Sequence, residues 1–221
     1  GLKPEEKDAY FLRGSAELEL GDYESAKADF DQAISMDPKN YDRLIEIYEA
    51  LAAHGYREVG QEYLQNVLDT AKQLDAYDSG RIYYYLGEYQ KAYLALDEAR
   101  DKGGADSYLY LGRAYAATGD YNYASSVYNN YLSKQGPNAE IYNELGLCEM
   151  AKKEYQNALA AFQAGKQIEG NSLMQTLCFN EIVAYEYLED YQQAEILMNA
   201  YLQNYPDDQT AIREQQFLST R

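Results

Sequence analysis

One short element recurs along the chain at a nearly constant spacing, and this recurrence constrains the fold more than any other feature. Its first copy is Gly21-Asp22-Tyr23. The later copies are Gly55-Tyr56, Gly87-Glu88-Tyr89, Gly119-Asp120-Tyr121, Lys153-Glu154-Tyr155 and Glu189-Asp190-Tyr191. Successive copies begin 34, 32, 32, 34 and 36 positions apart. A fixed period in this range indicates stacked repeats, because one such repeat cannot bury its apolar face alone.

Small and bulky residues stand at fixed offsets from this element. Glycines precede it by seven positions at Gly14, Gly80, Gly112 and Gly146. Alanines follow it by five at Ala26, Ala92, Ala124, Ala158 and Ala194, and bulky residues follow these by four at Phe30, Leu96, Tyr128, Phe162 and Met198. The pattern predicts two antiparallel helices that approach closely at the small residues and are packed by the bulky ones. We expect Asp22 and Asp120 to cap second helices.

The combined spacing resembles the 34-residue pattern of the tetratricopeptide repeat family, over roughly residues 6–206. In the first repeat the signature positions are Tyr10, Gly14, Gly21, Tyr23, Ala26, Phe30, Ala33 and Pro38. The fourth and fifth repeats match at Tyr108, Leu111, Gly112, Tyr115, Gly119, Tyr121, Ala124 and Tyr128, and at Tyr142, Leu145, Gly146, Tyr155, Ala158 and Phe162. The second repeat departs most, with Tyr48 where glycine is usual and Gly60 where alanine is usual. The sixth has Ile182 at the small position.

The resemblance implies an all-α fold, a right-handed α-solenoid of about six helix-turn-helix repeats. The repeats are expected at about 7–40, 41–74, 75–104, 105–138, 139–171 and 172–206. Residues 1–5 are expected to be frayed. Residues 207–221 are expected to form a capping helix that begins at Asp207-Asp208 and covers the end of the array, because solenoids commonly need such a cap for solubility.

Composition restricts the partners of the chain. Its 221 residues include 19 Lys and Arg against 37 Asp and Glu, a formal net charge of −18. Nucleic acid is held mainly by clustered Lys and Arg, so nucleic-acid binding is not expected. No uncharged apolar run reaches the ~18 residues of a membrane span, and direct membrane insertion is not expected either. Long-range steering favours basic or neutral partners.

The residues needed for catalysis or for cofactor binding are missing from the sequence. One histidine, His54, and two cysteines, Cys148 and Cys178, lack the spacing of a zinc site. There is no phosphate-binding glycine loop, no nucleophile elbow and no calcium-binding loop. We therefore predict no catalytic residue, no metal site and no cofactor, and we expect the protein not to be an enzyme.

The candidate site follows from the resemblance, because the first helices of family members line a concave groove. Residues carried to groove positions or beside them are Phe11, Tyr77, Arg81, Tyr84, Tyr85, Tyr110, Arg113, Asn143, Phe179, Asn180 and Tyr187. Tyrosine offers a large amphipathic contact area, and arginine offers a bidentate fork for carboxylates. Asparagine can hydrogen-bond a peptide backbone without reading its sequence. The groove is thus suited to a protein or an extended peptide.

Two interpretations of the arginines stay open. Arg81 and Arg113 occupy the same position in consecutive repeats and can form a ladder for an acidic ligand. Alternatively they pair with local acids such as Asp78 and Asp106, and exposed pairs of that kind contribute only about 0–1 kcal/mol. Groove binding to the carboxyl terminus of chaperone peptides is disfavoured, because Phe11 stands where the corresponding clamp has lysine.

Three functions are compatible with these observations. The first is a non-catalytic scaffold that binds a protein or peptide in the groove. The second is a structural component of a bacterial cell-envelope assembly, on an exported or lipid-anchored chain. The third is the peptide-sensing half of a regulator whose DNA-binding domain lies outside this sequence. The compartment stays open between the cytoplasm and the extracytoplasmic cell envelope.

Overall fold

The structure is a computed structural model that describes residues 4–221, with side chains from Asp8 onward. The described part contains thirteen α-helices and no strand, which confirms the predicted all-α fold. The helices are α1 (Pro4–Glu19), α2 (Tyr23–Met36), α3 (Tyr41–Ala53), α4 (Arg57–Thr70), α5 (Ala76–Tyr85), α6 (Tyr89–Asp101), α7 (Ser107–Ala117), α8 (Tyr121–Gln135), α9 (Ala139–Ala151), α10 (Tyr155–Lys166), α11 (Met174–Tyr187), α12 (Tyr191–Asn204) and α13 (Gln209–Leu218).

The recurring element forms the turn between the two helices of each pair. The side chain of Asp22 accepts a hydrogen bond from the Ser25 amide at 3.2 Å, and that of Asp120 accepts one from the Tyr123 amide at 3.1 Å. Both predicted caps therefore begin second helices. The residue before the cap has a positive φ, 78° at Gly21. Glycine adopts this left-handed conformation at little cost, which explains its recurrence.

The close approach predicted at the glycines is present in both well-matched later repeats. A Cβ atom added at Gly112 would overlap the ring of Tyr128, and one added at Gly146 would overlap the ring of Phe162. Both rings are fully buried. The first helix of each pair therefore needs a glycine wherever the second helix carries a large ring opposite it.

In the second repeat the large ring lies on the first helix and the glycine on the second. Tyr48 on α3 is 4% exposed, and the smallest residue is now Gly60 on α4. A Cβ atom added at Gly60 would lie 2.9 Å from Cδ2 of Tyr48. The two departures noted in the sequence thus compensate each other, since the large ring has moved from the second helix to the first.

The chain divides into two compact units, residues 1–95 and residues 96–221, called unit 1 and unit 2 below. The division falls inside the repeat expected at 75–104, and the predicted repeat limits stay a prediction. Of the terminus expected to fray, residues 1–3 lie outside the described residues, whereas Pro4 and Glu5 form the first turn of α1.

Each unit has a core made by consecutive helices. In unit 1 one cluster contains Phe30, Ile47 and Leu51, and a second contains Tyr48, Leu64 and Ile82. In unit 2 the clusters are Ala124, Tyr128, Ile141, Leu145, Cys148 and Ala161; Ala139, Ala158, Leu159, Phe162, Leu177 and Ala184; and Ile182, Ala194, Met198, Tyr201, Ala211 and Leu218. Each unit is therefore packed by a series of core clusters that consecutive helices share.

The last helix, α13, packs against α12 in unit 2. The carboxylate of Asp208 accepts hydrogen bonds from the amides of Thr210 and Ala211 at the start of this helix. Ala211 and Leu218 are buried, whereas Phe217 is 38% exposed. The helix therefore contributes to the unit 2 core with one side only.

None of the helices in the described part of the chain is both long and apolar enough to cross a membrane.

Candidate binding surfaces on the first helices

The predicted groove residues all lie on first helices, namely α1, α5, α7, α9 and α11. Unit 1 holds Phe11, Tyr77, Arg81, Tyr84 and Tyr85, and unit 2 holds Tyr110, Arg113, Asn143, Phe179, Asn180 and Tyr187. Within a unit, successive first helices are joined by polar contacts between such residues. These contacts decide which groups are available to a partner.

Arg81 is buried, with 7% of its surface exposed, and pairs with two carboxylates of unit 1. Its Nη1 lies 2.5 Å from Oδ1 of Asp42 on α3, and its Nη2 lies 2.5 Å from Oδ1 of Asp78 on α5. Its guanidinium also lies 4.4 Å from the centre of the Tyr77 ring. Burial lowers the pKa of Arg81, but the bonds to both aspartates outweigh this and raise it. The pairing with Asp78 suggested by the sequence is present, and Asp42 is an additional partner.

Arg113 also pairs with carboxylates, but on the next first helix rather than with Asp106. Its Nη2 lies 3.0 Å from Glu140 and 2.7 Å from Glu144, both on α9. Burial again lowers the pKa of Arg113, and the charge of Glu144 leads the effects that raise it. The side chain is 24% exposed and lies 5.6 Å from the Tyr110 ring centre. The pair therefore links α7 to α9.

Two predicted asparagines meet in unit 2. Nδ2 of Asn180 on α11 donates a hydrogen bond to Oδ1 of Asn143 on α9 at 2.9 Å. Asn143 is only 8% exposed, whereas Asn180 is half-buried. The amide pair satisfies the buried group and leaves the more accessible partner, Asn180, with further hydrogen-bonding capacity.

Phe179 and Asn180 also line a cleft of about 280 Å³ together with other residues of unit 2. The other lining residues are Gln175, Thr176, Tyr201, Asp208 and Thr210. The hydroxyl of Tyr201 donates to Oδ2 of Asp208 at 2.6 Å. Burial raises the pKa of Tyr201 to about 12, and the bond to Asp208 adds to the effect. These polar side chains are largely committed to one another.

Phe11 and Tyr187 have ring neighbours on other helices of their units. The guanidinium of Arg43 lies 4.1 Å from the Phe11 ring centre, and Phe11 packs against the unit 1 core. Tyr187 is 57% exposed, and its ring stacks on Tyr155 at 5.0 Å between centroids. Tyr187 therefore offers one ring edge to solvent while Tyr155 covers a face.

Tyr84 and Tyr85 border a larger cleft in unit 1, of about 350 Å³, which we call the tyrosine cleft. Its lining residues are Tyr48, Glu49, Ala52, Arg57, Gln61, Tyr84, Tyr85, Leu86, Gly87 and Tyr89. They come from the end of α3, the start of α4, the end of α5 and the turn into α6. The cleft thus lies where the turns of two helix pairs meet within unit 1.

The polar groups of the tyrosine cleft are arranged by two hydrogen bonds. The hydroxyl of Tyr85 donates to Oε1 of Glu49 at 2.5 Å, and Nη1 of Arg57 donates to the hydroxyl of Tyr48 at 3.2 Å. Burial raises the pKa of Tyr48, and the charge of Arg57 opposes this. Glu49 is exposed, so its carboxylate remains accessible to a ligand.

The sequence identified Tyr84 and Tyr85 as candidates but missed Arg57 and Tyr89. A signal for Arg57 was present, because it is the first helical residue after the second turn, where α2, α6, α8, α10 and α12 all begin with tyrosine. An exception at a position that is otherwise constant marks a local change of packing.

Among the described residues no group of three or more His, Cys, Asp or Glu side chains is placed to hold a metal ion. Cys148 and Cys178 are free thiols. Cys148 is 3% exposed, and burial raises its pKa to about 12, so this thiol acts as a small core residue.

Comparison with known families agrees with the helix pairs and their turns. Models of the tetratricopeptide repeat match residues 7–40, 77–124 and 111–171, which together are more than half of the chain. The chain belongs to the tetratricopeptide repeat family. The second and sixth repeats lie outside the matched segments. The comparison with curated proteins found no match.

Solved structures similar to this tetratricopeptide repeat chain include three that cover most of its length. PilW, described as a widely conserved type IV pilus biogenesis factor, is 18% identical, with 98% of this chain and 99% of PilW covered and a TM-score of 0.65. PilF of Pseudomonas aeruginosa is 19% identical, with 98% of both chains covered and a TM-score of 0.54. YrrB, described as a repeat protein with an unusual peptide-binding site, is 18% identical, with 85% and 97% covered and a TM-score of 0.56. At these identities the likeness establishes the fold.

Proposed function

We propose that this protein is a non-catalytic scaffold that binds a protein or an extended peptide through its first helices. The observation that carries the proposal is that first helices in both units present large side chains beyond the needs of the core. Unit 1 has the tyrosine cleft, and unit 2 has Leu147 on α9 and Tyr187 on α11, which are 43% and 57% exposed. Aromatic anchors of this kind dominate the energetics of many protein interfaces.

In this proposal the two arginines act through the acids that they hold. Arg81 is buried between Asp42 and Asp78, and Arg113 is bound to Glu140 and Glu144. Their guanidinium groups fix these carboxylates on the groove side of the first helices. A partner would therefore meet oriented carboxylates, tyrosine rings and asparagine amides, which favours basic or neutral segments over acidic ones.

Two double variants test whether the partner binds to the first helices or to the second helices. Glu49→Lys/Leu147→Glu alters one exposed residue on a first helix of each unit, and Glu62→Lys/Ile196→Glu makes the same two changes on the second helices α4 and α12. Leu147 and Ile196 are 43% and 55% exposed, so neither change removes a core residue. The partner is first identified by pull-down from the native host, and its affinity is then measured for all three proteins.

The first-helix variant is expected to bind about tenfold more weakly or worse, the scale of losing an interface anchor. The second-helix variant is expected to bind like the wild type. Circular dichroism should show equal helicity for all three. Loss of the partner by the second-helix variant alone would contradict the proposal.

A second candidate function is a structural component of a bacterial cell-envelope assembly. PilW, which is described as a pilus biogenesis factor, matches almost the full length of this chain, and this similarity supports a role in the cell envelope. In such a role the second helices or the edges of the array carry more of the contact. The same pair of double variants separates the two functions, because this alternative predicts that the second-helix variant is the one that loses its partner.

A further inference from the structure

The tyrosine cleft of unit 1 has the chemistry of a cation site. We propose that this cleft binds the side chain of a lysine or arginine presented by the partner. The inference rests on the proposed function, because it names the residue type that a bound segment would insert. It concerns Tyr48, Glu49, Tyr84, Tyr85 and Arg57, which lie within one compact unit.

The walls of the cleft are aromatic on several sides. The Tyr85 ring centre lies 5.1 Å from that of Tyr48, with 57° between the ring planes, and 5.1 Å from that of Tyr84, with 71° between the planes. The Tyr89 ring centre lies 6.1 Å from that of Tyr84. Rings at these angles do not stack flat upon one another, and all four of these tyrosines line the cleft. A cation over such faces is attracted by the ring quadrupoles.

One carboxylate completes the site. Glu49 is exposed at the cleft, and the hydroxyl of Tyr85 orients it by donating to Oε1 at 2.5 Å. An ionised carboxylate can accept several hydrogen bonds, so the contact with Tyr85 leaves Glu49 able to accept from an ammonium or guanidinium group. The ring walls would bind the aliphatic stem of the same side chain.

The cleft has room for at least one long side chain. Its volume is about 350 Å³, far more than the roughly 30 Å³ that one water molecule takes up in the liquid. The net charge of the chain, −18, steers basic segments toward it and repels acidic ones. A lysine or arginine is thus favoured over a neutral residue of similar length.

Among the residues that line the cleft, Arg57 is the one basic group. Its charge should have opposite effects on the binding of a cationic and of an anionic ligand. Its Nη1 donates to the Tyr48 hydroxyl at 3.2 Å, which holds the guanidinium against the wall. A bound cation would be repelled by Arg57, whereas a bound acid would use it. Removing this charge must therefore strengthen the binding of a cation and weaken the binding of an acid.

The probes are four blocked amino acids, the N-acetyl N-methylamides of arginine, lysine, norleucine and glutamate. Each is titrated into the full chain, and the ring signals of Tyr84 and Tyr85 are followed by NMR, with Tyr84→Phe and Tyr85→Phe used for assignment. The arginine and lysine probes should give saturable shifts of these rings. The norleucine probe, which has the stem without the charge, should bind about tenfold more weakly, the scale of a charge-assisted hydrogen bond.

Glu49→Gln should weaken binding of the arginine probe about tenfold, since the charge is lost with little change of shape. Glu46→Gln removes another exposed carboxylate, one turn earlier on α3, where it pairs with Arg43, and should leave binding of the arginine probe within about twofold. Arg57→Gln should strengthen it. Equal binding of the norleucine or glutamate probe, or loss of arginine binding in Arg57→Gln, would overturn the inference.

The probes act without the partner, so this failure is distinct from failure of the proposed function. If the arginine probe does not bind at the cleft while the first-helix double variant still loses its partner, only the proposal of a cation site is wrong. If the probe binds at the cleft and the partner is lost only by the second-helix variant, the scaffold proposal is wrong.

Discussion

The second and fifth repeats solve the same packing problem with opposite residues. In the fifth, Gly146 on α9 makes room for the buried ring of Phe162 on α10. In the second, the ring is Tyr48 on α3 and the room is made by Gly60 on α4. Because the ring belongs to the first helix in the second repeat, its hydroxyl reaches the tyrosine cleft, where it accepts a hydrogen bond from Arg57.

The turn between the two helices also differs between the fifth and the second repeat. Tyr155 begins α10 and stacks on Tyr187 from the end of the next first helix. Arg57 begins α4 at the corresponding place, and Tyr85, the counterpart of Tyr187, donates to Glu49 instead. A ring pair is thus replaced by a cleft. The candidate site therefore lies where the chain departs from its repeat pattern.

The largest effect is expected from giving the fifth repeat the first-helix residue of the second. Gly146→Tyr places a second ring against Phe162, where even a Cβ atom overlaps. We expect a loss of at least about 3 kcal/mol in the free energy of unfolding, the upper part of the range for overpacking. Chemical denaturation followed by circular dichroism measures it.

A triple variant is the control for that substitution. Gly146→Tyr/Ala158→Gly/Phe162→Leu carries the complete second-repeat arrangement, in which Leu64 follows Gly60 by four residues on α4 and lies in one core cluster with Tyr48. It should recover more than half of the lost stability. If the single variant is as stable as the triple one, the exchange of sizes between helices is not what packs the second repeat.

The next effect concerns the ring of Tyr48 itself. Tyr48→Ala should cost about 3 kcal/mol, because it leaves a cavity beside Gly60 in a buried position. Tyr48→Phe keeps the ring and loses only the bond to Arg57, so it should cost no more than about 1 kcal/mol. Thermal unfolding of both variants checks this, and a similar cost for the two would show that the hydroxyl rather than the ring is what matters.

The turns allow a smaller test. Gly55 and Lys153 occupy equivalent turn positions with φ of 87° and 64°. Gly55→Ala should destabilise by about 1 kcal/mol, whereas Lys153→Gly should be neutral or stabilise by up to about 1 kcal/mol, since lysine already bears the strain of the left-handed conformation. The denaturant midpoint should therefore fall for Gly55→Ala and stay the same or rise for Lys153→Gly, and a fall of both midpoints would contradict this prediction.

The smallest predicted effect is a pH dependence in unit 2. Glu186 occupies the position that Tyr84 has in the third repeat. Burial raises its pKa to about 7, and the nearby charge of Glu214 on α13 adds to the shift. Because the folded-state pKa lies above the ordinary value, the folded state binds the proton more tightly, and this stabilisation is lost as pH rises through about 7.

Thermal unfolding of the wild type and of Glu186→Gln at pH 6 and pH 8 measures this effect. The wild type should lose stability between the two values, and the variant should lose less. Equal pH dependence of the two proteins would show that Glu186 does not carry it.

The helix pairs followed from the sequence because their determinants are local. The turn glycines, the Asp22 and Asp120 caps and the Gly146 contact each depend on residues within one repeat. The pairing of Arg81 with Asp78 also followed, because both lie on α5. Asp42 as a second partner of Arg81, and Glu144 as a partner of Arg113, did not follow, because these acids lie on neighbouring first helices and their reach depends on helix packing.

The tyrosine cleft was only half visible in the sequence. Tyr48 and Gly60 were recognised as departures, and Tyr84 and Tyr85 as surface tyrosines. That they enclose one space depends on Arg57 standing where the other second helices begin with tyrosine, and on the positions that α3 and α5 take within unit 1. The space left by the missing tyrosine ring at position 57 is visible only when the positions of the surrounding helices are known.

The most direct test of the account is Arg57→Tyr, which gives the second repeat the turn residue of the others. The new ring should stack on Tyr85 as Tyr155 does on Tyr187 and fill the cleft in a fully folded protein. Binding of N-acetyl-arginine N-methylamide should then be lost, although removal of a positive charge alone would strengthen it. Unchanged or stronger binding by a folded Arg57→Tyr protein would contradict the claim that this cleft receives a basic side chain.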